Sequence, residues 1–334
     1  MRSDAAPRWL MRQPHTRVRT RGAAIVTALL IVALVTTVVA GLFARQSALV
    51  RTVENRLAQT QARWIERAAV DWARVILRQD GRSSSTDNLG EPWAVPVADT
   101  RVDASIGAGQ TLDTSATAAS LSGQILDMQG RFNLTNVVPG GKVDQAEAAA
   151  LGRLLTLVGQ PSTLAQPLIS RLLAAVPSEP AQTGGTGAVR MAPRTAVPTA
   201  LPIRRAADLL SVAGFDTNAV AALEPFVVML PRVTPVNVNT ASAEVITARV
   251  PEFELSRVRS FVVNRDRIPF RDLTDANQAY EPQSQFFKPE RWSVTSAWFL
   301  VRGAVRYDRI ESRSDTLLER KGRDLIELIW QDRY

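Results

Sequence analysis

Few side chains in this 334-residue chain have the types and spacing that chemistry requires. Two pairs of carboxylates, Glu252 with Glu254 and Asp324 with Glu327, could serve acid–base catalysis, although such pairs are common on solvated faces. The chain has no cysteine and one histidine, His15, which excludes thiolate chemistry and a histidine-dependent triad in its body. Nothing combines a nucleophile, a base and oxyanion donors at a recognisable spacing. The sequence therefore predicts a protein that is not an enzyme.

The excess of positive charge is concentrated at the N-terminus. The formal net charge is +8, and residues 1–21 hold six arginines and one aspartate, a net +5. The remaining 313 residues carry only +3. A basic surface must be local to attract nucleic acid, so the nearly neutral body predicts no nucleic-acid binding.

A long helix is predicted after the basic segment. Residues 22–44 contain no charged side chain, and about 20 such residues span a bilayer. The six preceding arginines favour a cytoplasmic N-terminus. No proline interrupts residues 15–91, and apolar residues beyond the membrane recur at helical spacing. We therefore predict one helix over 23–78 whose second half is amphipathic, with Trp64 and Trp72 in the core.

The start of this helix resembles the type III signal of type IV pilins and pseudopilins, because Arg21-Gly22 is followed by Ala23 and a long apolar run. The resemblance implies that a prepilin peptidase cleaves between Gly22 and Ala23 and that Ala23 is then N-methylated. Ordinary pilins of this family carry a glutamate at the fifth mature residue, where the N-terminal amine of the subunit ahead balances it. Thr27 stands in place of that glutamate. A subunit with nothing ahead needs no such carboxylate, so we interpret Thr27 as a signature of the fibre tip.

The rest of the chain alternates between strand-like and helix-like segments. Strands are predicted in 121–128, 131–134 and 291–330, helices in 143–176, 204–230 and 237–263, and a Pro- and Gly-rich loop in 177–202. Turns are expected near Gly303 and Gly322, and Asn239-Thr240 with Glu244 is expected to cap a helix. This order predicts an α+β fold, in which a long N-terminal helix packs on an antiparallel sheet that contains an inserted all-α domain.

Three motifs resemble those of the K-type minor pseudopilins of bacterial type II secretion systems, the general secretion pathway protein K family. They are DNLGEPWA at the helix exit (87–94), ILDMQGRFNL in a strand (125–134) and VNVNTA at the start of a helix (236–241). With the leader, they span most of the chain in the family's order. The resemblance implies a pilin-like fold whose inserted domain contains helix-hairpin-helix or SAM-like repeats.

The expected domains follow from this order and from the resemblance. They are the prepilin leader (1–22), the transmembrane part of the helix (23–44), its amphipathic periplasmic part (45–80), the first part of the pseudopilin α/β domain (81–140), the inserted helical domain (141–275) and the second part of the sheet (276–334).

The resemblance also implies a function and a set of partners. A K-type protein is a minor pseudopilin at the tip of the periplasmic pseudopilus, where it nucleates or caps assembly for the export of folded proteins across the outer membrane. The implied partners are the I- and J-type minor pseudopilins, the H-type minor and G-type major pseudopilins, the prepilin peptidase and the inner-membrane assembly platform. A single helix would cross the inner membrane, with the body in the periplasm, and no cofactor is expected.

Calcium is a point where this sequence departs from the family. Related K-type proteins bind calcium through an acidic run in the helical domain, and calcium requires about 6–8 oxygen ligands. The corresponding residues 170–200 contain Glu179 as their one acidic residue, among Arg171, Arg190 and Arg194. We therefore predict no metal site in this segment.

A DNA-binding, pilin-like protein of a competence or type IV pilus system is the alternative. The residues NVNTA at 237–241 also open helix-hairpin-helix domains, which hold phosphate through the backbone of a glycine-containing hairpin. The corresponding segment here, 250–254, has no glycine and contains Glu252 and Glu254. These carboxylates would repel phosphate, which disfavours the alternative.

Overall fold

A computed structural model describes residues 21–102, 119–176, 200–281 and 283–334 of the chain. The helices are α1 (Arg21–Ser83), α2 (Gln145–Leu157), α3 (Ala165–Ala175), α4 (Thr217–Leu223), α5 (Ala243–Arg249), α6 (Leu255–Arg267) and α7 (Leu273–Tyr280). The strands are β1 (Val97–Val102), β2 (Ala119–Asp127), β3 (Phe132–Asn133), β4 (Val227–Val228), β5 (Val236–Asn237), β6 (Trp292–Ser293), β7 (Trp298–Tyr307), β8 (Ile310–Lys321) and β9 (Leu325–Arg333). The predicted order of long helix, strands, helices and strands is confirmed.

The chain divides into two units, Met1–Gln59 and Thr60–Tyr334. The described part of the first unit is helical, and its side chains from Ala23 onward are almost all exposed. Among the described residues, α1 is the one helix long and apolar enough to cross a membrane. The second unit contains the end of α1, the sheet and the helical region.

The end of α1 packs on the sheet through a face that differs from the predicted one. Its buried apolar side chains include Val70, Ala73 and Leu77, at spacings of three and four residues. Trp64 and Trp72 lie outside this stripe and are 64% and 53% exposed, so their prediction as core residues is wrong. The helical periodicity predicted for this segment is confirmed. It did not identify the buried face, because apolar residues occur on two faces of the helix.

Among the described residues, five strands form the main antiparallel sheet, in the order β1-β2-β7-β8-β9. Gly303 was expected in a turn but lies within β7, opposite Gly123 of β2. A Cβ atom on Gly123 would come within 2.8 Å of the Arg302 carbonyl oxygen, so this glycine permits close strand contact. The turn between β7 and β8 is formed instead by Asp308 and Arg309, whereas the predicted turn at Gly322 is confirmed.

Alternation along β7 gives the sheet two apolar faces. Phe299 and Val301 pack with α1, whereas Trp298 and Leu300 pack on the opposite face with Leu230 from the helical region. This period of two is what a strand covered on both sides requires. The sheet is therefore held between α1 and the helical region.

The helical region has its own core, whose residues run from Phe132 to Trp292. Phe132 and Leu134 lie in this core, as do Tyr280, Phe287 and Trp292. Aromatic rings pack against one another in the C-terminal part of this core, where Phe253 stacks on Tyr280 with 3.7 Å between ring centroids. The short strands β3 and β6 pair with strands of the helical region, which brings the residues beside them into this core.

Two local predictions in the helical region need correction. Ser242, and not Asn239-Thr240, caps α5 by accepting a hydrogen bond from the Val245 backbone N–H. The predicted helical segment 204–230 begins with a 3₁₀ helix, residues 206–211, before α4. The predicted helical segment 237–263 contains α5 and α6, which form a helical hairpin.

Candidate functional site

The three sequence motifs meet at one buried polar cluster, which we call the motif junction. Its side chains come from the exit of α1, the ends of β2 and β8, the helical region and the start of β7: Asp80, Asp87, Asp127, Asn237, Thr240, Ser296 and Arg320.

Asp127, the last residue of β2, is the centre of the motif junction. Its Oδ2 atom accepts hydrogen bonds from Thr240 Oγ1 (2.5 Å), Ser296 Oγ (2.6 Å) and Asn237 Nδ2 (3.1 Å). Its Oδ1 atom accepts one from the backbone N–H of Gln129 at 2.7 Å. A buried carboxylate is costly unless its lone pairs are satisfied, and these four donors satisfy them.

Arg320 supplies the positive charge of the motif junction. Its Nη2 atom donates to both carboxylate oxygens of Asp87, at 2.5 and 2.6 Å, and its Nη1 atom donates to Asp80 at 2.9 Å. Asp87 in turn accepts a hydrogen bond from the backbone N–H of Ser296, and its carbonyl accepts one from Asn237 Nδ2. One guanidinium group thus ties the exit of α1 to β8 and to the start of β7.

Other polar residues of the motifs hold neighbouring backbone segments in place through hydrogen bonds. The Asn133 side chain donates to the Arg232 carbonyl and accepts from the Leu230 backbone N–H. The Asn239 side chain donates to the Phe270 carbonyl and accepts from the Phe270 backbone N–H. Gly130 lies against Thr240, whose hydroxyl and carbonyl oxygens would be 2.8 and 2.9 Å from a Cβ atom. A side chain at residue 130 would therefore separate β2 from the helical region.

Burial changes the acidity of two carboxyl groups in the motif junction. Burial raises the pKa of Asp127 to about 6, although hydrogen bonds from Ser296 and Thr240 favour its charged form. Burial and the charge of Glu91 raise the pKa of Asp80 to about 7, against the hydrogen bond from Arg320. Both groups favour the protonated form more than exposed aspartates do.

Asp80, Asp87 and Glu91 are the described residues whose oxygens cluster closely enough to suit a metal ion, within 4.8 Å of one another. The guanidinium of Arg320 lies among them and pairs with both Asp80 and Asp87. Glu91 is engaged by the indole N–H of Trp93. The donor set therefore fits an internal ion pair better than a divalent cation. Residues 177–199 of the predicted calcium-free segment lie outside the described residues.

The candidate acid–base pairs do not converge on a site. Glu252 and Glu254 are exposed on either side of the buried Phe253. Asp324 pairs with Arg82, and Glu327 pairs with Lys321. These contacts are those of solvated surface charges.

The sequence reasoning missed Ser296 and Arg320, which complete the motif junction. The alternating pattern of the C-terminal strands does not distinguish a buried polar residue from a solvated one. A signal was nevertheless present, since Asp87 and Asp127 stand near apolar residues in their motifs. A buried carboxylate requires a cation or several donors, and the partner had to come from elsewhere in the chain.

The residues predicted to be processed lie at the start of α1, which begins at Arg21 and includes Gly22 and Ala23. The Thr27 hydroxyl donates to the carbonyl oxygens of Ala23 and Ala24, both at 3.0 Å. It is therefore satisfied within its own helix and contributes no charge.

Comparisons with known proteins agree on one family. The family models described as type II secretion system (T2SS), protein K match residues 130–232 and 236–289. The type II secretion system protein K of Pseudomonas aeruginosa is 32% identical over 267 residues, which cover 76% of this chain and 75% of the relative. That of Pectobacterium carotovorum subsp. carotovorum is 26% identical over 325 residues, covering 92% and 94%.

A solved structure shows the same fold. A chain of the GspK-GspI-GspJ complex from the enterotoxigenic Escherichia coli type 2 secretion system matches with a TM-score of 0.61 and 18% identity, covering 84% of this chain and 99% of that chain. The apolar part of α1 fits a membrane-anchored pseudopilin. The family is structural, without enzymatic activity. This chain belongs to the protein K family of type II secretion systems, and it is a minor pseudopilin.

Proposed function

We propose that this minor pseudopilin occupies the tip of the pseudopilus, where it nucleates or caps assembly for the export of folded proteins. The observation that carries the proposal is Thr27, whose hydroxyl bonds back to Ala23 and Ala24. A buried charge in an apolar helix bundle needs a partner. A chain that is uncharged at this position makes no demand for a subunit ahead of it.

The helical region supports the same position. Its core spans residues from Phe132 to Trp292 and covers one face of the sheet. A structure of this size on the pilin-like sheet would obstruct a subunit that stacks above it. We propose that residues 1–22 are the leader and that the helical region is the cap, with domain boundaries near those expected from the sequence.

The partners follow from the relative of known structure, which was solved with GspI and GspJ. We propose that the I- and J-type minor pseudopilins bind this chain directly, and that H-type and G-type pseudopilins follow them in the fibre. The prepilin peptidase would cleave between Gly22 and Ala23, with the N-terminus cytoplasmic and the body periplasmic. The inner-membrane assembly platform would receive the processed chain.

Two measurements test these assignments. Mass spectrometry of the processed chain should find an N-methylated Ala23 at the N-terminus, and Gly22→Phe should leave uncleaved precursor; a terminus elsewhere would refute the processing site. Site-specific cross-linking in assembled fibres should place the chain once, at one end, beside I- and J-type subunits. Repeated placement along the shaft would contradict the tip position.

A further inference from the structure

The C-terminal strand β9 lies at the edge of the main sheet. It pairs with β8 on one side, and no other strand of the described chain pairs with it. Arginines of α1 cover the start of this edge, because Arg74 donates to the Ile326 carbonyl and Arg78 to the Asp324 carbonyl. For the edge beyond them, residues 327–333, the described part of the chain provides no such cover. An uncovered strand edge offers main-chain N–H and C=O groups to another strand.

A bulge in β9 directs its side chains into two clefts. Leu317 and Leu318 of β8 oppose Trp330 and Leu328, so Ile329 is an extra residue in the strand. As a result, Ile329 and Trp330 both line one cleft, whereas Leu328, with Gln331 and Arg333, lines another.

The first cleft, which we call the apolar cleft, has a volume of about 440 Å³ and lies between the sheet and the helical region. Ile329 and Trp330 face Leu172, Met229 and Pro231 across it. Leucine, methionine and tryptophan side chains of this kind accommodate an apolar side chain without a polar requirement.

The second cleft, which we call the arginine cleft, is also about 440 Å³ and lies between α1 and β9. Four arginines line it, against one carboxylate, Asp71. Asp71 pairs with Arg74, and Arg333 pairs with the buried Glu66. The other two, Arg63 and Arg67, are exposed and form no ion pair with any described residue. Their uncompensated charge favours an acidic ligand.

We propose that the free edge of β9 binds an extended segment of another protein in which apolar and acidic residues alternate. Side chains of a strand point alternately to its two faces. A strand added to β9 would thus place its apolar residues in the apolar cleft and its carboxylates in the arginine cleft. Main-chain hydrogen bonds give affinity in this mode of recognition, and the clefts give selectivity. The surface does not depend on where the chain lies in the pseudopilus.

The test uses the full chain in detergent and a fluorescent seven-residue peptide, Glu-Val-Glu-Leu-Glu-Val-Glu, with a binding correction for empty micelles. We expect this peptide to bind and to slow amide exchange in residues 327–333. The matched peptide Lys-Val-Lys-Leu-Lys-Val-Lys should bind at least about tenfold more weakly, which corresponds to about 1.4 kcal/mol. A version methylated on alternate backbone nitrogens should not bind, because it cannot complete the strand.

Charge reversal in the protein locates the site. Arg63→Glu with Arg67→Glu should weaken binding of the acidic peptide about tenfold. Arg267→Glu with Lys288→Glu makes the same change of charge on exposed parts of the helical region and should leave binding unchanged. The proposal is overturned by failure of the acidic peptide to bind, by equal binding of the lysine peptide, or by unchanged exchange in 327–333.

Discussion

The side chains of Asp127 and Asn237 meet in the interior, where Asn237 Nδ2 donates to Asp127 Oδ2 at 3.1 Å. The first residue ends β2 and the second belongs to β5, so this contact joins the sheet to the helical region. The same amide group also donates to the Asp87 carbonyl and to Ser296. An amide with these donors holds three segments of the chain around one carboxylate.

Asn237→Asp should therefore destabilise the protein severely. The new carboxylate is nearly isosteric, but it lacks the donors and adds a negative charge beside Asp127. An unpaired buried charge costs about 3–5 kcal/mol, so thermal melting at pH 7.5 should show a large loss. Asn218→Asp adds the same charge at an exposed position of α4 and should leave the melting temperature nearly unchanged. Equal melting of the two variants would contradict a structural role for the contact.

The stability of the protein should increase as the pH falls from about 8 to about 5. The pKa of Asp127 is raised to about 6 and that of Asp80 to about 7, from an ordinary value of 3.8, so the folded state binds protons more tightly than the unfolded state. The free energy of unfolding therefore falls as the pH rises through this window. Within this window Asp127 should contribute on the order of 1 kcal/mol, about one pH unit below its raised pKa. The side chain of Asp127→Asn cannot titrate. Melting curves at several pH values should therefore show that the melting temperature of this variant depends less on pH than that of the unchanged protein.

Gly130→Ala should disrupt the contact between β2 and the helical region. The added methyl group would lie 2.8 Å from Thr240 Oγ1 and 2.9 Å from its backbone carbonyl oxygen, and the backbone cannot easily move. Overpacking of this kind costs about 1–3 kcal/mol. Gly152→Ala is the matched control, since this glycine lies within α2 with open space around it and alanine favours a helix by about 0.5–1 kcal/mol. In chemical denaturation, the free energy of unfolding should be lower than that of the unchanged protein for Gly130→Ala and higher for Gly152→Ala.

Glu147 and Arg249 form a second buried ion pair, within the helical region, where their side chains are 4% and 2% exposed. Glu147→Gln should cost about 3–5 kcal/mol, because the guanidinium stays buried without its counter-charge. Replacing both residues, as Glu147→Leu with Arg249→Met, should recover much of that loss. By contrast, Asp275→Asn removes the charge of a pair with Arg271, whose side chain is 85% exposed, and should leave the melting temperature nearly unchanged. Melting temperatures of the three variants compare these cases directly.

Local signals in the sequence were sufficient for the long helix, the order of segments and the turn at Gly322. The prediction of a turn at Gly303 was wrong, because a glycine within a strand can also permit two backbones to approach closely, as Gly123 and Gly303 do. The choice between these two uses depends on the partner strand, which the local pattern does not specify.

The candidate site was predictable in part. The motifs containing Asp87, Asp127 and Asn237 stand out because they place polar residues among apolar ones. Their partners Ser296 and Arg320 are 59 and 83 residues beyond Asn237, and they became evident only when the fold brought them together. The prediction of the cap of α5 was wrong for a related reason. The Asn239 side chain bonds to Phe270, and Ser242 caps the helix.

The position of the helical region within the sheet affects how the protein folds. Strands β2 and β7 are adjacent and antiparallel, with Asp127 opposite Phe299, so the 170 residues between them form the loop of a single β-hairpin. Closing so long a loop as a random coil costs about 3 kcal/mol more than closing a four-residue turn. A helical region that folds first removes this cost by delivering the two strand ends side by side. Protection of α2 and α5 before β2 and β7 in pulsed hydrogen exchange would reveal that order, in which the largest insertion acts as the nucleus for the sheet that contains it.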